Sequence, residues 1–221
     1  MASSPDKPSR LSAIQRDVLA AFFQRERAFY LTGGAALAGY HLGHRETSDL
    51  DLFTADAPAF ERARHVMSDV AAALGGTIEV RQDAPGFLRC VVSRGGDALV
   101  VDVVRDRSFQ IHPAKPVIEG IAVDPPDEIL ANKLTAIVGR AEERDLVDVL
   151  FLERAGYRVE DVLAAALRKD GGCTPATLAW LLSEIEIPEG AQLPAGINGR
   201  ELRDFVAELV KRFRRAALPS P

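Results

Sequence analysis

The sequence predicts an α/β fold in which a mixed sheet flanked by helices is followed by a helical domain. Three observations carry this. Short apolar runs bounded by glycine pairs fill the first half of the chain, with amphipathic stretches between them. A proline-rich stretch from Pro113 to Pro126 breaks the composition, and every apolar pattern beyond it has helical spacing. The 221 residues allow one large domain or two small ones, each able to bury a core without disulfides or a structural metal. The reading is a disordered leader over 1–9, an α/β domain over 10–112, a helical domain over 113–215 and a tail over 216–221.

Taken in order, Leu11, Ile14, Val18, Leu19 and Phe22 recur at helical spacing and predict an amphipathic helix. Ala28 to Thr32 is a short strand stopped by Gly33-Gly34, and the alanine-rich run from Ala35 to His41 favours a helix. Asp49 to Phe53 reads as a strand, and Pro58 suits the first turn of a helix that runs from Ala59 to Leu74 and ends at Gly75-Gly76. Thr77 to Arg81 and Phe87 to Ser93 pair around Pro85-Gly86, and Gly95-Gly96 turns the chain into Ala98 to Val104. Beyond the prolines, Ile129 to Leu152, Val159 to Leu167, Thr177 to Ile185 and Arg200 to Arg215 read as helices.

The chemistry starts from the carboxylates. Side chains alternate along a strand, so Asp49 and Asp51 share one face while Leu50 and Leu52 take the other. Two like charges at that spacing repel, and a divalent metal with oxygen ligands relieves the repulsion; an exposed strand edge with solvated acids is the alternative. Asp102 lies in a run that is apolar on both faces, the pattern of a buried central strand, where an unpaired carboxylate costs several kcal/mol. A metal shared with Asp49 and Asp51 explains it, and a structural Asp satisfied by an arginine such as Arg105 or by backbone donors is the competing account. Gly33-Gly34 stands between a strand and a helix, where backbone N–H groups can meet an anion with no Cβ in the way; a simple tight turn is the alternative. Neither a P-loop nor a G-x-G-x-x-G fingerprint is present.

Gly33-Gly34, then Asp49-x-Asp51, then an isolated Asp102 resemble the motif order of the DNA polymerase β-like nucleotidyltransferases. More narrowly, Leu31-Thr32-Gly33-Gly34-Ala35-Ala36-Leu37 with His44-Arg45-x-x-Ser48-Asp49-Leu50-Asp51-Leu52-Phe53 resembles the AbiEii/AbiGii toxin family, which includes the MenT toxins. Asn132-Lys133-Leu134-x-Ala136-x-x-x-Arg140 and Arg144-Asp145-x-x-Asp148 are similar to that family's third and fourth motifs, in which a Lys and an Asp assist the reaction. Asn132 stands where the family often has Glu, and Arg144 where a Lys is frequent.

The resemblance implies NMP transfer from an NTP to a hydroxyl acceptor, either the 3′ end of RNA or tRNA or a protein, by a toxin with a cognate antitoxin or a phage-defence role. It implies two Mg²⁺ ions, or Mn²⁺ in their place, on Asp49, Asp51 and Asp102, with Lys133 and Asp145 as further catalytic residues. Gly33, Gly34, Arg45, Ser48, Lys133, Arg140 and Arg144 are then expected to hold the nucleotide, in a cleft between the two domains. Independently of the resemblance, a continuous helix would stack Lys133, Arg140 and Arg144 on one face as a cationic stripe, while ion pairs with Glu142 or Glu143 are the alternative for the arginines. Asp145 could orient Lys133 or act as a base, and Asp148 reads as a structural partner for Arg144. Two other functions compete: a small-molecule nucleotidyltransferase acting on an antibiotic such as an aminoglycoside, and an inactive nucleotide-binding interaction module.

The remaining features narrow little. With 27 basic and 32 acidic residues the net charge is −5, so a polyanionic partner must find a local basic patch. Lys211-Arg212-Phe213-Arg214-Arg215 is the strongest such cluster, offering an aromatic that could stack a base, or simply a solvated helix end. His41 and His44 lack a third ligand at zinc spacing, and Cys90 and Cys173 read as reduced thiols. No apolar run reaches membrane-span length and the start does not resemble a signal peptide, so a soluble, cytoplasmic protein with no membrane partner is expected.

Overall fold

The computed structural model describes residues 9–140 and 142–218; apart from Ser9, the leader expected over 1–9 lies outside the described residues, as does the end of the tail expected over 216–221. The chain forms two compact units. The first holds the residues up to Arg107 together with Ala114–Pro125, and the second holds Ser108–Pro113 together with the residues from Pro126 onward. The proline-rich stretch read as the boundary is thus divided between them.

In the first unit, strands β1 (Tyr30–Thr32), β2 (Asp49–Thr54), β3 (Thr77–Ala84), β4 (Phe87–Arg94) and β5 (Asp97–Arg105) form one sheet in the order β1-β2-β5-β4-β3. β2 and β5 are parallel and the other neighbours antiparallel, which makes the sheet mixed and β5 its middle strand. Alternation sorts the two faces. Leu50, Leu52, Leu88, Cys90, Val92, Leu99, Val101 and Val103 are buried on one, beneath helices α1 (Ala13–Arg25) and α3 (Ala57–Ala73). Asp49, Asp51, Asp102 and Arg89 occupy the intervening positions and so share the other face.

The helix ends explain how this layer is held in place. Ser12 and Gln15 form a reciprocal capping box at the start of α1, and the Gln15 amide also donates to the carbonyls of Thr47 and Asp49 at 3.0 and 3.3 Å. One buried side chain therefore ties the first turn of α1 to the start of β2. Asp56 caps α3 through the Ala59 N–H, with Pro58 in the first turn as the sequence predicts. The helix expected from Ala35 is a short α2 (Gly33–Ala36) that widens into a π-helical turn, Leu37–His41. A further hairpin, β6 (Val117–Ile118) with β7 (Ile121–Ala122), was hidden among the prolines. Its turn puts both Glu119 and Gly120 at positive φ, 51° and 82°. Beyond it, Val123 bridges to Leu31 and extends the sheet past β1.

The second unit is helical: α4 (Pro126–Gly139), α5 (Glu143–Arg154), α6 (Val159–Lys169), α7 (Pro175–Ser183) and α8 (Gly199–Ala216). The single helix expected from Ile129 to Leu152 is broken. α4 ends at Gly139, and Glu142 is extended (φ −75°, ψ 144°) at the start of α5. Gly139 marks the break, since glycine inside a helix costs about 1 kcal/mol relative to alanine. The C-terminal basic cluster is also divided by packing. Phe213 is fully buried and cannot stack a base. Arg212 is buried between Glu153 and Glu160, with bonds of 2.5 to 2.7 Å to both, which hold its guanidinium above its ordinary value. Cys90 and Cys173 are free and buried, and burial pushes both thiols up to about 12. No described helix is long and apolar enough to cross a membrane.

Candidate active site

The first unit brings the expected acids into a single row. Thr32 on β1 faces Asp51 on β2, Asp51 faces Asp102 on β5, and Asp102 faces Arg89 on β4. Asp49 lies two residues before Asp51 on the same face. The Thr47 hydroxyl donates to Asp49 Oδ1 at 2.8 Å, fixing that carboxylate. Arg89 closes the row with a bidentate pair, Nε to Asp102 Oδ1 at 2.7 Å and Nη2 to Oδ2 at 2.6 Å. Hydrogen bonding to Asp102 and its charge hold the Arg89 guanidinium above its ordinary value, with Asp49 and Asp51 adding to the effect.

The glycines fit tightly around this row. Gly33 has φ +66°, and a Cβ there would lie 2.3 Å from Asp51 Oδ2. At Gly34 a Cβ would lie 2.7 Å from Arg45 Nη2 and 3.3 Å from Thr47 Oγ1. Gly33-Gly34 therefore lets the backbone approach both the central carboxylate and a guanidinium, and a side chain at either position would have to displace one of them. Replacing Gly33 by alanine is expected to cost about 1–3 kcal/mol in backbone strain and to displace Asp51. The check is a lowered Tm together with at least a tenfold loss of nucleotidyl transfer. Ser48 is exposed between Thr47 and Asp49.

The residues expected from the second half form a cluster of their own in the second unit. Lys133 is buried, with Nζ 2.7 Å from Asp145 Oδ1 and 2.6 Å from Asp148 Oδ2. Burial alone would lower the ammonium's pKa, but Asp148 and Asp145 outweigh it and hold the value above the ordinary one. Arg140, just past the end of α4, folds onto Asp145 with Nε at 3.1 Å from Oδ2. Arg144 instead pairs with Glu142 at 2.6 Å. The expected stripe of Lys133, Arg140 and Arg144 does not form, because the helix that would carry it is interrupted. Asp148 partners Lys133 rather than Arg144, and the arginine on Asp102 is Arg89 rather than Arg105.

Among the described residues no three His, Cys, Asp or Glu side chains form a ready cage for a metal ion. The donor set nevertheless fits Mg²⁺, which takes one or two carboxylates and completes its shell with water and substrate phosphate. Asp49 and Asp51 project from one strand face beside a glycine cradle. Each oxygen of Asp102 gives only one of its two lone pairs to Arg89, leaving the other for a ligand.

Residues 17–219 match the family described as "Nucleotidyl transferase AbiEii toxin, Type IV TA system". The chain belongs to the AbiEii nucleotidyltransferase toxin family. This AbiEii protein is a nucleotidyltransferase, and membership brings an NTP substrate and an antitoxin partner with it. No curated protein sequence matches it significantly. Among solved structures it is similar to a candidate nucleotidyltransferase from H. pylori, with a TM-score of 0.56 at 20% identity over 93% of this chain and 96% of that one. It is also similar to JHP933 from Helicobacter pylori, with a TM-score of 0.58 at 20% identity over 92% of each chain. At that identity the likeness supports the AbiEii protein's fold and nothing finer.

Two residues of the candidate site, Arg89 and Thr47, are not among those the sequence singles out. Arg89 had a signal: counting back from the two-residue turn Gly95-Gly96 places it opposite Asp102. Thr47 precedes the strand and had none.

Proposed function

We propose that this AbiEii toxin transfers an NMP from an NTP to a hydroxyl at the 3′ end of an RNA such as tRNA, in a Mg²⁺-dependent reaction centred on Asp49, Asp51 and Asp102. The observation that carries the reading is the register that sets Asp51 beside Asp102, with Gly33 against the Asp51 carboxylate. Asp49 and Asp51 would hold the Mg²⁺, with Asp102 as the third ligand. When bound, the metal neutralises the triphosphate and stabilises charge as pyrophosphate leaves.

The chain's own groups account for the rest. The backbone of Gly33 and Gly34 and the Arg45 guanidinium receive the phosphate oxygens, with Ser48 at the rim. The acceptor oxygen attacks the α-phosphorus in line, the bond to the β-phosphate bridging oxygen breaks, and the hydroxyl proton passes toward Asp102. Arg89 fixes the orientation of that carboxylate. Lys133 and Asp145 act as one ion-paired unit that sets the α4–α5 corner, with Arg140 on Asp145 and Arg144 on Glu142.

The test incubates the protein with each α-labelled NTP, Mg²⁺ and a cell lysate, and then separates RNA, protein and small molecules. Label is expected in RNA with at least one NTP and is expected to vanish on chelation of the metal. Label confined to small molecules would redirect the reading to a drug-modifying enzyme, label confined to protein would name a protein acceptor, and no label with any NTP would overturn transfer itself.

A further inference from the structure

The segment that joins the two glycines to the rest of the sheet is held from behind by one buried carboxylate that no motif includes. Asp124, fully buried, belongs to the stretch that returns to the first unit. Its backbone N–H donates to the Leu31 carbonyl at 2.9 Å, continuing the pairing of Val123 with β1. Its Oδ2 accepts the Thr32 hydroxyl at 2.6 Å, and its backbone carbonyl accepts the His41 Nε2–H at 2.7 Å. Its Oδ1 pairs with the buried Lys115 ammonium at 2.8 Å.

Thr32 and His41 are the two ends of the segment that contains Gly33, Gly34, α2 and the π-helical turn. Asp124 therefore grips this segment at both ends. A threonine before a helix ordinarily turns its oxygen to cap the first turn. Thr32 makes no such bond; its hydroxyl donates to Asp124 instead. Burial pushes the His41 imidazole below its ordinary value, and its Nε2–H donates to the Asp124 carbonyl. Lys115 balances the buried charge, which would otherwise be costly, and also lies 4.6 Å from the Tyr30 ring centroid.

The geometry points to Asp124 as a positioning residue for the nucleotide: through Thr32 and His41 it fixes the Gly33-Gly34 turn against Asp51 and so sets NTP affinity. This rests on the proposed function above. Because Asp124 acts on the turn and touches no reacting atom, its loss weakens NTP binding while the chemical step proceeds once nucleotide is bound.

The experiment compares Thr32→Val, which removes only the hydroxyl, with Thr32→Ser, which keeps it, using the NTP that the wild type turns over. Thr32→Val is expected to raise the NTP KM about tenfold with kcat within about threefold of wild type, and Thr32→Ser to stay within about twofold of wild type in both. Equilibrium binding of the same NTP should weaken in step with KM. If Thr32→Val does not fold, His41→Ala against His41→Gln, which retains an N–H donor, gives the same comparison at the other end. An unchanged KM in the hydroxyl-free or donor-free variant, equal losses in both members of a pair, or a fall in kcat at constant KM overturns the inference. A wild type that neither binds nor turns over any NTP overturns the proposed function, and the inference with it, before any variant is made.

Discussion

Asp51→Asn is expected to reduce kcat/KM for nucleotidyl transfer by about 10³-fold or more while leaving the fold intact. Asp51 stands at the centre of the row, between Thr32 and Asp102, with Gly33 against its Oδ2. The amide is isosteric with the carboxylate, so packing is kept and only the charge is lost. The charge lost sits among like charges but also attracts Arg89, so Tm should stay close to that of the wild type. The paired measurement is label transfer at saturating Mg²⁺ alongside thermal unfolding. Activity within tenfold of wild type at unchanged Tm would remove Asp51 from the centre of the reaction.

Lys133→Met is expected to produce the largest loss of stability. It leaves Asp145 and Asp148, both fully buried, without the ammonium that lies within 2.7 Å of each. Breaking a buried pair from one side costs about 3–5 kcal/mol, which for a unit of this size lowers Tm by about 15 °C or more. The pH dependence follows from the carboxylates. Burial raises Asp145, but Lys133 and then Arg140 bring it below its ordinary value. A depressed carboxylate contributes stability that is present above the unfolded pKa and is lost as pH falls through the folded one. In Lys133→Met the compensation from Lys133 is gone, burial favours the protonated acids, and the variant gains relative stability as pH falls from 7 toward 5. Denaturant midpoints at the two pH values should therefore show the gap to wild type narrowing in acid; a constant gap would mean the lysine does not neutralise this pair.

Much of this arrangement was legible in the sequence because it depends on period and turn chemistry. The alternation of Asp49-Leu50-Asp51-Leu52 gave the faces of β2, and the doubly apolar run around Asp102 gave a central strand. Gly75-Gly76, Pro85-Gly86 and Gly95-Gly96 gave the turns of the three-stranded meander. The helix break after Gly139 was missed because a continuous apolar period outweighed one glycine. Arg89 is legible only through the register of the β4–β5 hairpin, which sets it opposite Asp102. The Asp124 contacts were not legible at all: they join residues far apart in the chain, and neither period nor motif connects Thr32 with Asp124.

The parallel pairing of β2 with β5 also orders the assembly of the sheet. β3, β4 and β5 are joined by short turns and can zip locally, whereas β2, which pairs with β1 on one side, must wait for β5 to be made before its other edge is covered. A nascent chain that carries Asp49 and Asp51 but ends before Asp102 has two acids and no row. On the proposed site, the first half of the protein is therefore made before its reaction centre can form: the register that sets Asp51 beside Asp102 needs both halves of the sheet.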